Sequence, residues 1–241
     1  MKGNQNGLSR RGFLKGAATA GGGIAAVGFI DLFGLQNSAF AAAANDDPQT
    51  ILNLAATAET LAVTFYYSLL TGATFSVAED DLQYLRLAMD AEKYHLDFLN
   101  SIGGKALAQQ FYVPANLLSD ANVAIQTALA AETAFIGAYL AATRILGEAG
   151  QGKLAATTAQ HAASEAQHLT LLREIGGFVP NDLGLPAPIY YNVSDAVPTL
   201  RPFLTGGSGF IGPVGFPSAD QYNKALGSDK TQRVLPFLRA Y

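Results

Sequence analysis

Six residues whose side chains can bind metal ions recur in this sequence as two copies of one pattern. They are Glu59, Glu92, His95, Glu132, Glu165 and His168. In each copy a single glutamate precedes a Glu-x-x-His pair, and the second copy follows the first at an offset of 73 residues. Tyr66 and Tyr139 are separated by the same offset. A shared offset at these positions predicts an internal repeat, with two helical hairpins related by an approximate twofold axis.

The surroundings of the six residues indicate that they face an apolar core. Residues one and two turns from each glutamate are mostly apolar, so each carboxylate belongs to the buried stripe of its helix. Four glutamates that meet in such a core repel one another and are poorly solvated. Two divalent cations would balance their charge, and two neutral imidazoles would complete the ligand set. These ligand types suit both iron and manganese, so the pattern predicts two Fe or two Mn ions.

A second interpretation of the same residues needs no metal, because glutamates and histidines can also form a hydrogen-bonded polar layer. Three further residues are candidates for orienting the ligands: His161, Tyr66 and Tyr139. His161 precedes Glu165 by one turn, and its counterpart in the first copy is Ala88. The alternative role of His161 is that of a core histidine bonded to a backbone carbonyl. The alternative role of the two tyrosines is core packing.

Four long helices are predicted to position these residues in an all-α fold. They cover residues 48–71, 76–102, 120–149 and 153–175. Asp47 caps the first, with Pro48 at the first helical position. A capping box from Ser76 to Glu79 opens the second, and Ser119 or Asp120 caps the third. Glycine pairs end the second and fourth helices.

The chain is predicted to divide into a leader (residues 1–41), a four-helix bundle (residues 45–178) and a C-terminal tail (residues 179–241). Eight of the ten prolines lie at or after Pro180, together with several glycines and aromatic residues. This composition predicts few regular elements. Because aromatic side chains favour packing over disorder, we expect the tail to be an irregular strap packed on the bundle.

The leader has the features of a twin-arginine export signal. Arg10 and Arg11 stand in the usual order within Ser9–Lys15, and Ala39–Ala41 is a small-x-small cleavage site. The apolar segment between them is interrupted by Asp31, which leaves it too short to span a bilayer. We therefore expect a periplasmic or extracellular protein without a stable membrane span in its mature form. The alternative is an uncleaved N-terminal anchor.

Composition excludes several other classes of function. The 241 residues contain no cysteine, which removes disulfides, thiolate metal sites and cysteine nucleophiles. Lysine and arginine number 15 against 19 aspartates and glutamates, so the chain has no basic character to suit a nucleic-acid partner. Apolar residues make up 49% of the chain and charged residues only 14%, as expected for a chain that folds around a large core.

The two copies of the metal-binding pattern resemble the ferritin-like superfamily of bacterioferritins, rubrerythrins and manganese catalases. The leader, the alanine-rich helices and the Pro/Gly tail most resemble its exported, desiccation-related branch. The resemblance covers about residues 48–177. It implies that Glu59 and Glu132 are terminal ligands, that Glu92 and Glu165 bridge the ions, and that the two histidines of the pattern bind one ion each. It also implies a crossover connection between the second and third helices.

The function expected from this resemblance is redox chemistry at a di-iron or di-manganese centre, in stress defence. The second partner would then be a small oxidant, either dioxygen or hydrogen peroxide, and the chain could form a homo-oligomer. The tail replaces the short final helix of the cage ferritins, which argues against iron storage in a cage. The alternative function is that of a non-catalytic stress or desiccation protein, in which any metal only stabilises the fold.

Overall fold

The computed structural model of the protein describes residues 45–241, and the predicted leader in residues 1–41 lies outside them. The described chain is mostly helical, as predicted. Four long helices carry the candidate site. They are α1 (Pro48–Gly72), α2 (Glu79–Ser101), α3 (Ala121–Glu148) and α4 (Gly152–Ile175).

Two aspartates begin α1 and α3 as the sequence predicts. The Asp47 carboxylate accepts hydrogen bonds from the backbone N–H groups of Gln49 and Thr50. Asp120 accepts the corresponding bonds from Asn122 and Val123. Each cap satisfies amide groups that have no partner inside the helix, which fixes the residue at which the helix starts.

The capping box predicted from Ser76 to Glu79 does not form. The chain is extended at Ala78, which is the N-cap of α2 without a side-chain bond, so the helix begins at Glu79. The Glu79 carboxylate instead lies 2.6 Å from the Arg86 guanidinium, nearly two turns along the same helix. Three acidic residues in the first turn, 79–81, interact favourably with the helix dipole and take over part of the role of the cap.

The long helices pack most closely as two consecutive pairs, α1 with α2 and α3 with α4, and further contacts join α1 to α3 and α2 to α4. Buried hydroxyl groups in α1 do not need partners from other helices. Thr60, Thr64 and Ser68 each donate to the backbone carbonyl one turn earlier, at 2.6–2.7 Å. Polar side chains can therefore lie in this interior without losing hydrogen bonds.

The connection between α2 and α3 contains a strand that pairs with the tail. This strand, β1 (Gln110–Pro114), is antiparallel to β2 (Phe210–Gly215), with Gln110 opposite Gly215. Phe111 and Val113 of β1 are buried, so the strand covers the helices with alternate side chains. The α2–α3 connection and the tail are thus joined in one small sheet.

The tail, predicted to be irregular, contains several short elements. A 3₁₀ turn, Val193–Ala196, leads into α5 (Val197–Thr205); β2, α6 (Ala219–Leu226) and α7 (Phe237–Ala240) follow. Its first part packs closely on α3 at Gly137. A Cβ atom at this position would lie 2.5 Å from the Ile189 side chain, so only glycine allows this approach.

By length and composition, α3 is also apolar enough to cross a membrane. Core helices of soluble proteins commonly have the same property, and half of its most apolar window is buried inside the protein.

Candidate metal centre

The structure brings the six predicted side chains together near the middle of the four long helices. Glu59 comes from α1 and Glu132 from α3, while α2 and α4 each supply a Glu-x-x-His pair. Each of the four glutamates is at most 2% exposed. The chain has three histidines, and all of them, His95, His161 and His168, are buried in this region. All three histidine side chains of the protein therefore lie close to the four glutamates.

These side chains form two overlapping groups, each of which could hold a metal ion. One consists of Glu59, Glu92, His95 and Glu165, and the other of Glu92, Glu132, Glu165 and His168. Within each group the ligand atoms all lie within 4.8 Å of one another. Glu92 and Glu165 belong to both groups, whereas the other four residues belong to one each.

The distances around the two histidines show how tightly the groups are drawn together. Nδ1 of His95 lies 3.1 Å from Glu92, 3.3 Å from Glu165 and 3.7 Å from Glu59. Nδ1 of His168 lies 2.8 Å from Glu92, 3.2 Å from Glu165 and 3.9 Å from Glu132. Each histidine thus faces both shared glutamates and the single glutamate of its own half. The contacts of one half recur in the other, so the repeat seen in the sequence is also a repeat of geometry.

One oxygen of every glutamate in the site accepts no well-aligned hydrogen bond among residues 45–241, although Glu92 Oε1 and Glu165 Oε1 lie close to histidine nitrogens. The four oxygens are Glu59 Oε2, Glu92 Oε1, Glu132 Oε2 and Glu165 Oε1. Within the same residues, no lysine or arginine forms an ion pair with any of the four carboxylates. Buried carboxylate oxygens without donors are costly, and convergent ones are the ligands that hard divalent cations prefer. The residues present therefore fit a metal ion.

Two tyrosines support the single glutamates from the opposite half of the repeat. The Tyr66 hydroxyl on α1 donates a short hydrogen bond to Glu132 on α3, and the Tyr139 hydroxyl on α3 donates one to Glu59 on α1. Burial, followed by the charge of the glutamate that each contacts, raises the pKa of both tyrosines well above the ordinary value. Both hydroxyls consequently keep their protons and remain donors.

The carboxylates and imidazoles perturb one another strongly. Burial, and then repulsion from Glu92 and Glu165, raises the pKa of Glu59 and of Glu132 well above the ordinary value. Burial opposes the charged form of His95 and His168, but the surrounding carboxylates outweigh it and raise the pKa of both imidazoles. The site therefore holds protons tightly, and a metal ion must compete with them.

His161 lies beside the site without contacting a carboxylate. Its Nδ1 donates to the Thr157 carbonyl at 2.8 Å, and its Nε2 is buried with no hydrogen-bond partner among the described residues. Its ring centroid lies 4.5 Å from that of His95 and 5.0 Å from that of Tyr139, with which it stacks. Burial, and then the nearby His95, lower the pKa of His161 to about 3, so the imidazole is neutral.

A cleft of about 680 Å³ reaches the three histidines from the surface. We call it the α2–α4 cleft, because residues 84–98 of α2 and 160–171 of α4 form its two long walls. Residues 230–236 of the tail form its third side. Among the described residues that line it, Lys230 is the one lysine, arginine or carboxylate residue, and apart from the three histidines the polar ones are glutamine, serine, threonine and tyrosine.

The residue that holds this part of the tail in place was not predicted from the sequence. Asp90 on α2 is 2% exposed and accepts hydrogen bonds from Tyr222, from both the amide and the hydroxyl of Thr231, and from Arg233, at 2.6–2.8 Å. Residues one turn from Asp90 include Arg86, Lys93 and Tyr94, so the sequence pattern places it on the polar side of α2, away from Glu92. The partners of Asp90 follow about 130–140 residues later in the chain, where no periodicity marks them.

Comparison of the chain with protein-family models, with curated proteins and with solved structures finds no match in any of the three. What the protein does must therefore be inferred from its own residues.

Proposed function

We propose that the four long helices form a ferritin-like four-helix bundle and that the two overlapping groups hold a pair of iron or manganese ions. The observation that carries this proposal is that Glu92 and Glu165 belong to both groups. Two carboxylates placed between two sets of ligands suit bridging positions in a dinuclear carboxylate centre, with Glu59, His95, Glu132 and His168 as ligands of one ion each.

The charges of the site agree with this assignment. Four ionised glutamates carry four negative charges, which two divalent cations would neutralise. With neutral imidazoles as the remaining ligands, the buried centre would then have no net charge. This would remove the large penalty for burying carboxylates that have no cationic partner.

The proposed activity is redox chemistry with dioxygen or hydrogen peroxide, in an exported protein of stress defence. Bound iron or manganese would supply the reversible change of oxidation state that such a reaction requires. The protein's own side chains would orient the ligands, through the tyrosine hydroxyls, and would exclude bulk water from the carboxylates. The α2–α4 cleft supports this activity, because it gives a small molecule a path to the histidine side of the centre.

A structural role without turnover is the second candidate function. The six side chains come from all four long helices, so bound metal would link these helices whether or not any reaction takes place. Because a ligand that binds only the folded state stabilises it, metal alone could then protect the protein against desiccation or heat.

One set of measurements on purified protein distinguishes these possibilities. The protein is loaded with Fe(II) or with Mn(II), its metal content is determined, and its melting curve is recorded with and without a chelator. Oxidation of Fe(II) by dioxygen and consumption of hydrogen peroxide are then assayed. Turnover with bound metal supports the redox function, and stabilisation without turnover supports the structural one. Protein that binds neither metal rules out the redox function and any stabilisation of the fold by these two metals.

A further inference from the structure

The α2–α4 cleft ends at a side chain whose hydrogen-bonding capacity is only half used. His161 lines the cleft and is 5% exposed. Its Nδ1 is 2.8 Å from the Thr157 carbonyl, which can only accept, so Nδ1 carries the ring proton. In the neutral ring Nε2 then presents a lone pair, and no described residue donates to it. A buried acceptor without a partner is unusual in a folded protein.

His161 also makes the two halves of the centre unequal. Its counterpart at the repeat offset is Ala88, which lines the same cleft but has no polar side-chain atom. His95 has the His161 ring beside it at 4.5 Å, whereas the repeat gives His168 no such neighbour. The unpartnered acceptor at the border of the cleft therefore lies on the side of His95.

We propose that the α2–α4 cleft binds a small uncharged molecule with an O–H group, which donates a hydrogen bond to Nε2 of His161 next to His95. The need for a donor follows from the lone pair on Nε2. The preference for an uncharged molecule follows from the walls of the cleft, which besides the histidines offer amide, hydroxyl and apolar groups, with Lys230 as the one lysine, arginine or carboxylate residue among the described residues that line it. The binding is a property of the cleft itself, and its use to deliver a substrate rests on the proposed function.

Of the two oxidants in the proposed function, hydrogen peroxide belongs to this class, whereas dioxygen has no proton to donate. If the cleft delivers the oxidant of the proposed function, that oxidant is hydrogen peroxide and not dioxygen. Tyr139 stacks on the His161 ring and donates to Glu59, so the orientation of His161 is coupled to that of one glutamate of the site.

The presence of only three histidines allows a direct test by nuclear magnetic resonance. The mature protein is labelled with ¹⁵N at its histidine side chains, and His161→Phe identifies the signals of His161. Methanol, a small hydroxylic probe that the centre does not consume, is titrated in. We expect a saturable shift of the His161 Nε2 signal. Acetonitrile, which is of similar size but donates no hydrogen bond from oxygen, should not produce this shift.

Two variants on the same helix test whether the molecule enters through the cleft. Ala91→Trp places a large side chain in the wall of the cleft and should abolish the methanol response. Gln83→Trp, at an exposed position of α2 that does not line the cleft, should leave the response intact. If Ala91→Trp does not fold, the wild-type titration still decides the proposal. If the His161 signal does not shift with methanol, or shifts equally with acetonitrile, the proposed binding site in the cleft is wrong.

Addition of Zn(II), a diamagnetic probe, to the same sample tests the proposed centre separately. Zinc bound at the two groups should shift the signals of His95 and His168. If zinc has no effect while methanol still shifts His161, the dinuclear centre is refuted and the binding site in the cleft stands. If zinc shifts both signals while methanol has no effect, the cleft proposal is refuted and the centre stands.

Discussion

The hydroxyl of Tyr66 donates a hydrogen bond to Glu132, which belongs to the other half of the internal repeat. Tyr139 makes the reciprocal bond to Glu59, so each half of the repeat supplies the donor that orients a glutamate of its partner. Neither half is complete without the other. This arrangement explains why the tyrosines recur at the same offset as the glutamates and histidines.

Replacing Tyr66 by phenylalanine should weaken metal binding without unfolding the protein. The ring still fills its buried position, but Glu132 loses its donor and is free to rotate. Loss of a partner that orients a ligand typically lowers metal affinity by about 10- to 100-fold. Titration of the apoprotein with Mn(II) measures the change. Tyr67→Phe, at the next position on α1, is the matched control, and equal affinities of the two variants would contradict the role assigned to Tyr66.

The number of ions lost should depend on whether a shared or an unshared ligand is removed. Glu92 belongs to both groups, so Glu92→Ala should abolish binding of both ions, whereas His168→Ala should leave about one ion per chain. In both variants the melting temperature of the metal-loaded protein should fall, because bound metal stabilises only the folded state. Metal analysis after loading and gel filtration gives the stoichiometry. An identical loss in the two variants would refute the distinction between shared and single ligands.

Metal affinity should rise with pH. The raised pKa of Glu59 and of Glu132, which burial and then repulsion from Glu92 and Glu165 produce, means that these groups hold protons that metal must displace. The two ligand histidines also have raised pKa values and must lose a proton at Nδ1 to bind. As pH falls through these raised values, protons compete better and binding weakens. Calorimetric titration with Mn(II) at roughly pH 6, 7 and 8 should show this trend, with protons released on binding.

The sequence predicts the long helices and the convergence of the six side chains, for identifiable physical reasons. Asp47 and Asp120 cap their helices locally, and the 73-residue repeat places two metal-binding patterns on equivalent helix faces. The pairing of β1 with β2 was not predicted, because the strands are about 100 residues apart and both contain proline. The capping box predicted at Ser76 does not form, because α2 begins only at Glu79, whose carboxylate pairs with Arg86 instead of bonding back to the cap.

Other contacts between distant segments were also not predicted from the sequence. Tyr66 lies two turns from Glu59, which suggests an interaction within one helix, but its hydroxyl reaches Glu132 on another. Such a choice of partner depends on the distance and rotation between helices. No periodicity along a single chain segment encodes these quantities.

The export prediction concerns residues outside the described part of the chain and needs a test in cells. If Arg10 and Arg11 form a twin-arginine signal, changing both to lysine should leave uncleaved precursor in the cytoplasm. The wild-type chain should be recovered outside the cytoplasmic membrane with its N-terminus at or near Ala42. Fractionation and N-terminal sequencing measure both results. Normal export of the double lysine variant would show that another signal directs the protein.

Asp90 should fix the third side of the α2–α4 cleft. Its buried carboxylate accepts bonds from Tyr222, Thr231 and Arg233, and so joins α2 to the tail segment that lines the cleft. Asp90→Asn keeps the shape of the side chain but removes the charge and turns one acceptor oxygen into a donor. Because bonds to a charged acceptor are among the stronger ones, the free energy of unfolding should fall by about 2–3 kcal/mol.

The matched control is Asp97→Asn on the same helix. Asp97 pairs with Lys93 at 2.5 Å, but its side chain is 59% exposed, so its loss should change stability by no more than about 0.5 kcal/mol. Hydrogen exchange distinguishes a local effect from a global one. In Asp90→Asn the amide of Thr231, which donates to Asp90 at 2.8 Å, should exchange faster, while amides in the middle of α1 stay protected because local opening there is not required. Unchanged protection at Thr231 would mean that other contacts hold the tail against the cleft.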